Sequence, residues 1–281
     1  MSGVGAQIAA GLAAGMVYAL LALGIVLVHR ASGVDNVAQG AFATLSAFVC
    51  SSLVLHGWSF WPAVGATVVL SFAGGAVVHA VLVRPLEHGA LAAATLLTAG
   101  LLLLVDGLDA WVWGPSLRPF PQPFAAGSVS IAGVTVGRRD VGAFLVGLAA
   151  LLVLGVVLRS RIGLGLRAAA ANPVAARYSG IHVTRFRTTA WGLAGALGAV
   201  AGTLAAPLFG LQPSMLHLGL LYALAAAAVA GLGSTALAVP AGLGLGVALE
   251  LVGRHVHWLH GGIRPATGLA VLAVALVARR T

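Results

Sequence analysis

Nine nearly uninterrupted apolar runs, near residues 6–28, 37–55, 61–83, 90–112, 141–158, 188–209, 217–233, 236–253 and 266–278, leave this chain little choice of solvent. A helix needs about 20 apolar residues to cross about 30 Å of hydrocarbon, and each run meets that length or nearly does. Only 7% of the residues are charged, against about 25% in soluble domains. The expected fold is an all-α polytopic membrane bundle of eight or nine spans, one domain over residues 1–281. The last three runs are interrupted by Gly231, Gly233 and Pro240, so any of them can be a re-entrant half-helix lodged against its neighbours. The first run lacks a basic leader and has spanning length, which makes it a retained membrane helix rather than a signal peptide.

The cations are 15 arginines with no lysine, against six acids. A phosphate-binding loop needs its lysine to reach a nucleotide, so this chain cannot hold such a site. The arginines sit in short connections between apolar runs, which excludes a nucleic-acid-binding face and points to membrane lipid. Placing residues 159–187 in the cytoplasm puts ten arginines inside and five outside, with the N-terminus out and the C-terminus in. Trp111 and Trp113 then fall at the outer interface, where aromatic side chains gather.

The stretch 159–187, RSRIGLGLRAAAANPVAARYSGIHVTRFR, holds six arginines and no acid. Within it Asn172 suits a helix cap, Pro173 the first helical position, and Gly180 the left-handed residue that ends a helix. Two turns of helix are unstable alone. The segment therefore reads either as a positive-inside anchor on anionic headgroups or as a docking element for a cytoplasmic protein. On the opposite side, the loop 113–140 is proline-rich early and β-branched later, an external excursion with room for a short hairpin. ALLALGIVLVHR at 19–30 and ALLVLGVVLRSR at 150–161 align without gaps, a trace of a parallel repeat.

Ionisable groups inside the apolar runs are candidates for function. Asp106 and Asp109 share a helical face near the outer interface, where they are solvated or meet a solute's ammonium. Glu250 precedes Arg254 by one turn, the order that favours an ion pair. His255, His257 and His260 lack a nearby carboxylate or thiol, and no metal site is expected of them. Cys50 reads as a small core residue. Asn36 suits a cap on the second span, and Gln39 and Tyr18 need protein or a water-filled path for their polar atoms. Gly11 and Gly15 form a G-x-x-x-G pattern for close helix packing. No nucleophile and base fall together, so no catalytic residue is expected.

Three segments carry a resemblance to a family. YALLALGIVLVHRASGVDNVAQGAF, with Asn36, Ala38 and Gly40 in register, resembles a first span followed by an N-F-A-H-G-E-like segment. GLGLRAAAANPVAARYSGI, through Gly163, Arg167, Ala168, Ala176, Gly180 and Ile181, resembles a coupling segment. AVAGLGSTALAVPAG, through Gly231, Gly233 and Ser234, resembles a turn between late helices. Together they resemble the LivH-type permease subunit of ATP-binding-cassette importers for branched-chain amino acids. Gln39 and Ala41 stand where that family usually has histidine and glutamate, and its usual ending after the last span is missing.

The resemblance implies a transport permease, not an enzyme, in a bacterial inner membrane, with no cofactor of its own. It implies a second permease subunit, two cytoplasmic ATPase subunits that bind the ATP, and an extracytoplasmic solute-binding protein. Coupling to the ATPase would fall to Gly163, Arg167, Asn172, Pro173, Arg177 and Gly180. The translocation path would involve Tyr18, Asn36, Gln39, Gly40, Gly231, Gly233 and Ser234. The solute class would be a small amino acid or amide. The competing reading is an ion-coupled secondary transporter or a passive channel, which would use an intramembrane carboxylate or a constriction instead of an ATPase.

Overall fold

The computed structural model describes residues 3–86, 91–124, 127–131 and 134–255. Among these residues, ten α-helices run in the order α1 (Val4–Ser32), α2 (Gln39–Leu55), α3 (Phe60–Val77), α4 (Leu91–Trp113), α5 (Arg138–Arg159), α6 (Arg161–Ala171), α7 (Pro173–Tyr178), α8 (Val183–Phe209), α9 (His217–Val229) and α10 (Thr235–His255). Six of these are long and apolar enough to cross a membrane, and α2 and α9 are shorter apolar helices. That matches a bundle of about eight spans among the described residues; the run expected at 266–278 lies outside them, as do His257 and His260. The side chain of Arg254 is outside them too, and with it the pair expected with Glu250.

The first helix is the axis of the bundle. Its apolar window is 89% buried, against 17% for the α3 span and 22% for α5. It packs on α10, α8, α9 and α5. Lipid tails are as apolar as leucine, so burial of α1 cannot come from a hydrophobic gradient; it rests on close packing of small residues. Gly11 and Gly15 meet Gly242 and Gly246 of α10, antiparallel, at backbone contact. A Cβ on Gly246 would stand 2.3 Å from Gly15 Cα, and one on Gly15 would stand 2.9 Å from Leu243 Cα.

The second hub is α8, which packs on α1, α2 and α3. It too approaches backbone to backbone. A Cβ on Gly195 would lie 2.2 Å from Ser71 O of α3, and one on Gly202 would lie within contact distance of Ala43 O of α2.

The two ends of the bundle differ. At the N-terminal end of α1 lies the antiparallel hairpin β1 (Ser128–Ile131) with β2 (Val134–Gly137), the only strand pair among the described residues. At its C-terminal end Ala31 packs with Leu166 of α6 and Ala190 of α8. The loop after α4 is pinned to the connection after α8 by Arg118 N–H donating to Leu211 O at 2.9 Å. Loop and arginine-rich segment thus sit at opposite ends, as alternating spans require, and the aligned stretches in α1 and α5 point the same way.

Candidate functional site: a polar break within the bundle and a capped helix at its inner end

Beyond Ser32, Gly33 takes a left-handed conformation (φ 74°) and ends α1. The chain then turns back into the bundle. Val34 is fully buried against Val28, Val83, Trp191 and Ala194, and α2 begins only at Gln39. Irregular backbone is tolerated at this depth because it is covered by protein. The segment is fastened from α4: Thr98 Oγ1 accepts the Val37 N–H at 3.1 Å and donates to Asp35 O at 2.9 Å or Thr95 O at 2.8 Å. His29 and Asp35 close the turn at 2.8 Å.

Asn36 is not the helix cap that its position promised. The cap position is Ala38, without a side-chain bond. Instead Asn36 Nδ2 donates to Gln39 Oε1 at 2.9 Å, and Gln39 Nε2 donates to Ala194 O of α8 at 2.8 Å. A backbone carbonyl only accepts, so Ala194 O sets the polarity of the chain: nitrogen of Gln39 toward α8, oxygen of Gln39 toward Asn36, nitrogen of Asn36 toward Gln39. What remains at the far end is an acceptor. Asn36 is 2% exposed, and its Oδ1 has no partner among the described residues.

Asn36 is among the residues that line a cavity of about 180 Å³ between α2, α3 and α8. Gln39, Ser46, Ser71, Trp191, Gly74, Gly75 and Gly195 also line it. Ser46 Oγ donates to Phe42 O at 2.7 Å and lies 2.8 Å from Ser71 Oγ, so Ser71 supplies the proton of that second bond. Trp191 Nε1 is turned to Ser32 Oγ at 3.3 Å. Asn36 Oδ1, buried beside this lining, is the acceptor that no donor among the described residues meets.

The other residues expected on a path are not gathered here. Gly40 lies at the start of α2, where a Cβ would stand 3.0 Å from Leu220 Cβ of α9 and 3.2 Å from the O of Leu216, just before that helix. Tyr18 sits in an aromatic cluster, 5.2 Å from Tyr222 and 6.5 Å from Phe209 between ring centres. Gly231 (φ 88°) and Gly233 form the turn between α9 and α10, and Ser234 Oγ accepts the Leu237 N–H at 3.3 Å. The expected set is thus divided among the cavity, the α2–α9 contact, the aromatic cluster and the inner turn.

Two polar features depart from expectation. Asp109 is fully buried rather than solvated, and Asp106 is bonded to His217 at the start of α9. His79, unnoticed in the sequence although an imidazole in an apolar run is itself a signal, is fully buried where α3 passes into a π-helical turn, Val78–Val83. Its Nδ1 lies 2.9 Å from Thr188 Oγ1, whose proton goes to Thr184 O at 3.0 Å, so the imidazole donates.

At the arginine-rich end the short helix forms as its residues dictate. Asn172 Oδ1 accepts the N–H groups of Val174 and Ala175 at 3.1 and 3.0 Å, Pro173 takes the first position, and Gly180 (φ 78°) follows the end. Ala176 seats α7 against Ala169 and Val183. Its other face is open: Val174 is 59% and Tyr178 90% exposed, with Arg177 exposed between them. Arg167 and Gly163, expected with it, lie at the elbow between α5 and α6. Arg167 Nη1 donates to Leu158 O at 2.7 Å, and Gly163 lies against that carbonyl so closely that no Cβ would fit, which together fold α6 back on the end of α5.

A glycine-packed helical bundle with a re-entrant polar break and an exposed amphipathic helix at its arginine-rich end is a multi-pass membrane permease. Residues 7–278 match the model of the permease component of branched-chain amino acid transport systems, and the chain belongs to that family. It is 28% identical to the high-affinity branched-chain amino acid transport permease BraD of Pseudomonas aeruginosa, over 86% of this chain and 84% of that one. It is 29% identical to the probable branched-chain amino acid permease LivH of Methanocaldococcus jannaschii, over 83% and 76%. It is also 29% identical to the autoinducer 2 import permease LsrD of Klebsiella pneumoniae, over 75% and 63%.

Proposed function

We propose that this permease is the membrane half of an ATP-driven importer in a bacterial inner membrane, moving a small polar solute delivered by an extracytoplasmic binding protein. It works with a second permease subunit and two cytoplasmic ATPase subunits, and α7 is the helix that docks into the ATPase. The observation that carries this reading is the open face of α7. A six-residue helix is too short to persist alone, and a tyrosine 90% exposed beside an arginine is a contact waiting for a partner.

Motion of α7 has a direct route to the cavity. It joins α8 through four residues, and Ala194, whose carbonyl holds Gln39, lies about 17 Å along α8 from Val183. A shift of α8 on ATP binding would pull the Gln39–Asn36 pair and with it the cavity wall. The solute is a small amide or amino acid whose N–H group answers Asn36 Oδ1. Relatives that carry branched-chain amino acids and autoinducer 2 agree with a small polar cargo.

Co-purification tests the docking. Arg177→Glu combined with Tyr178→Ala should abolish association with the ATPase subunits while membrane insertion is retained. Association at the wild-type level would refute α7 as the docking helix.

A further inference from the structure

A second recess lies at the inner end of the bundle, apart from the α2–α3–α8 cavity. It has a volume of about 100 Å³ and is lined by Arg30 and Arg167, by Thr235, and by the apolar side chains of Leu27, Leu158 and Leu166. We infer that this recess binds the phosphate of an anionic phospholipid from the inner leaflet. The inference stands whether or not α7 docks an ATPase.

The charge in the recess is uncompensated. Arg30 is half-buried in the last turn of α1, and it has no carboxylate partner among the described residues. Arg167 has none either; it spends one N–H on Leu158 O and keeps four for another acceptor. Two guanidinium groups left facing one space repel each other until an anion lies between them, and a phosphate accepts from both in fork geometry. The recess also lies at the first turn of α10, a helix of 21 residues whose free N–H groups favour negative charge there. Leu27, Leu158 and Leu166 make the remaining wall apolar, a surface suited to the glycerol and first methylenes of a lipid rather than to a hydrated ion.

Position selects the source. The recess is formed where α1 ends and the α5–α6 elbow folds, on the side that the distribution of arginine assigns to the cytoplasm. Anionic lipids enrich that leaflet, and each arginine near its surface adds about fivefold to their binding. A headgroup held there would tie α1, α6 and α10 together beside the elbow.

The test uses the full-length chain purified in neutral detergent with equal amounts of phosphatidylglycerol and phosphatidylcholine, the bound lipid being counted by native mass spectrometry. The wild type should retain phosphatidylglycerol preferentially. Arg30→Gln should lower that retention about fivefold, and Arg30→Lys should keep most of it, showing that the bundle is intact. Arg84→Gln, exposed on the same side but outside the recess, should change nothing. Equal retention of the two lipids, or equal losses in Arg30→Gln and Arg84→Gln, would overturn the inference. So would displacement of the lipid by millimolar inorganic phosphate, which would assign the site to a free anion. Loss of ATPase association in Arg30→Gln with lipid retention unchanged would assign it to a protein carboxylate.

Discussion

Gly246→Ala adds one methyl group to the face of α10 that lies on α1, and it has nowhere to go. The new carbon would stand 2.3 Å from Gly15 Cα, 2.4 Å from Gly15 N and 2.5 Å from Gly11 O, all backbone atoms that no rotamer change can move. Ordinary contact begins at 3.4 Å, so the two helices have to part by about 1 Å along their closest approach. Overpacking of this kind costs about 1–3 kcal/mol. Glycine to alanine also raises helix propensity by about 1 kcal/mol, which would blur the reading. Gly244→Ala on the same helix removes that ambiguity, because nothing lies within 4 Å of its Cβ. The difference between the two variants isolates the clash.

Unfolding of the full-length chain in mixed micelles, as sodium dodecyl sulfate is raised, should place Gly246→Ala about 1–3 kcal/mol below Gly244→Ala. Gly244→Ala should match or exceed the wild type. Equal stability of the two variants would mean that α1 and α10 do not meet through their glycines, and would undo the placing of α1 at the centre.

Further outcomes follow from the polar contacts. Gln39→Leu removes the acceptor of the Asn36 Nδ2 hydrogen bond and should lower stability by about 1–3 kcal/mol in the same assay, and Gln39→Glu, which keeps that acceptor but sets a buried carboxylate against Ala194 O, should lose at least as much. Thr98→Val takes away the group that fastens residues 35 and 37; solute uptake should fall while the protein level in the membrane holds, and unchanged uptake would detach α4 from the site. Asn172→Ala deletes a cap bonded to two N–H groups and costs α7 about 1 kcal/mol, which should weaken ATPase association measured by titration; Asn172→Ser should restore most of it.

How much of this was readable in the sequence differs from element to element. The short helix α7 was legible because its signals are local: an amide at the cap, a proline after it, a glycine at the end. The β1–β2 hairpin was legible for the same reason, from the β-branched residues of 128–137. The centrality of α1 was not. Its residues are apolar on every face, and in lipid that uniformity says where a helix lies but not which helices enclose it. Only the glycine pairs carried that information, and they are hard to separate from the many other glycines until Gly242 and Gly246 are placed opposite.

The candidate site shows the same division. Asn36 and Gln39 stood out as polar residues at the start of a span, but capping is the local option and they took a distant one. Their arrangement depends on Ala194 O, far along the chain, which no pattern around residue 36 encodes. Trp111 lies 83% exposed, as an interfacial aromatic should. Trp113 donates to Ser52 Oγ at 2.8 Å and stacks on Phe48 at 5.1 Å, half-buried against the core.

The central claim is that this permease moves its solute by work done on separate ATPase subunits. Uptake into proteoliposomes holding the full-length permease, its companion subunits and ATP on the cytoplasmic side tests it most directly. The account predicts uptake only with the ATPase subunits and ATP present, and its loss in Arg177→Glu/Tyr178→Ala. Uptake by this chain alone, driven by a proton or sodium gradient, would contradict it.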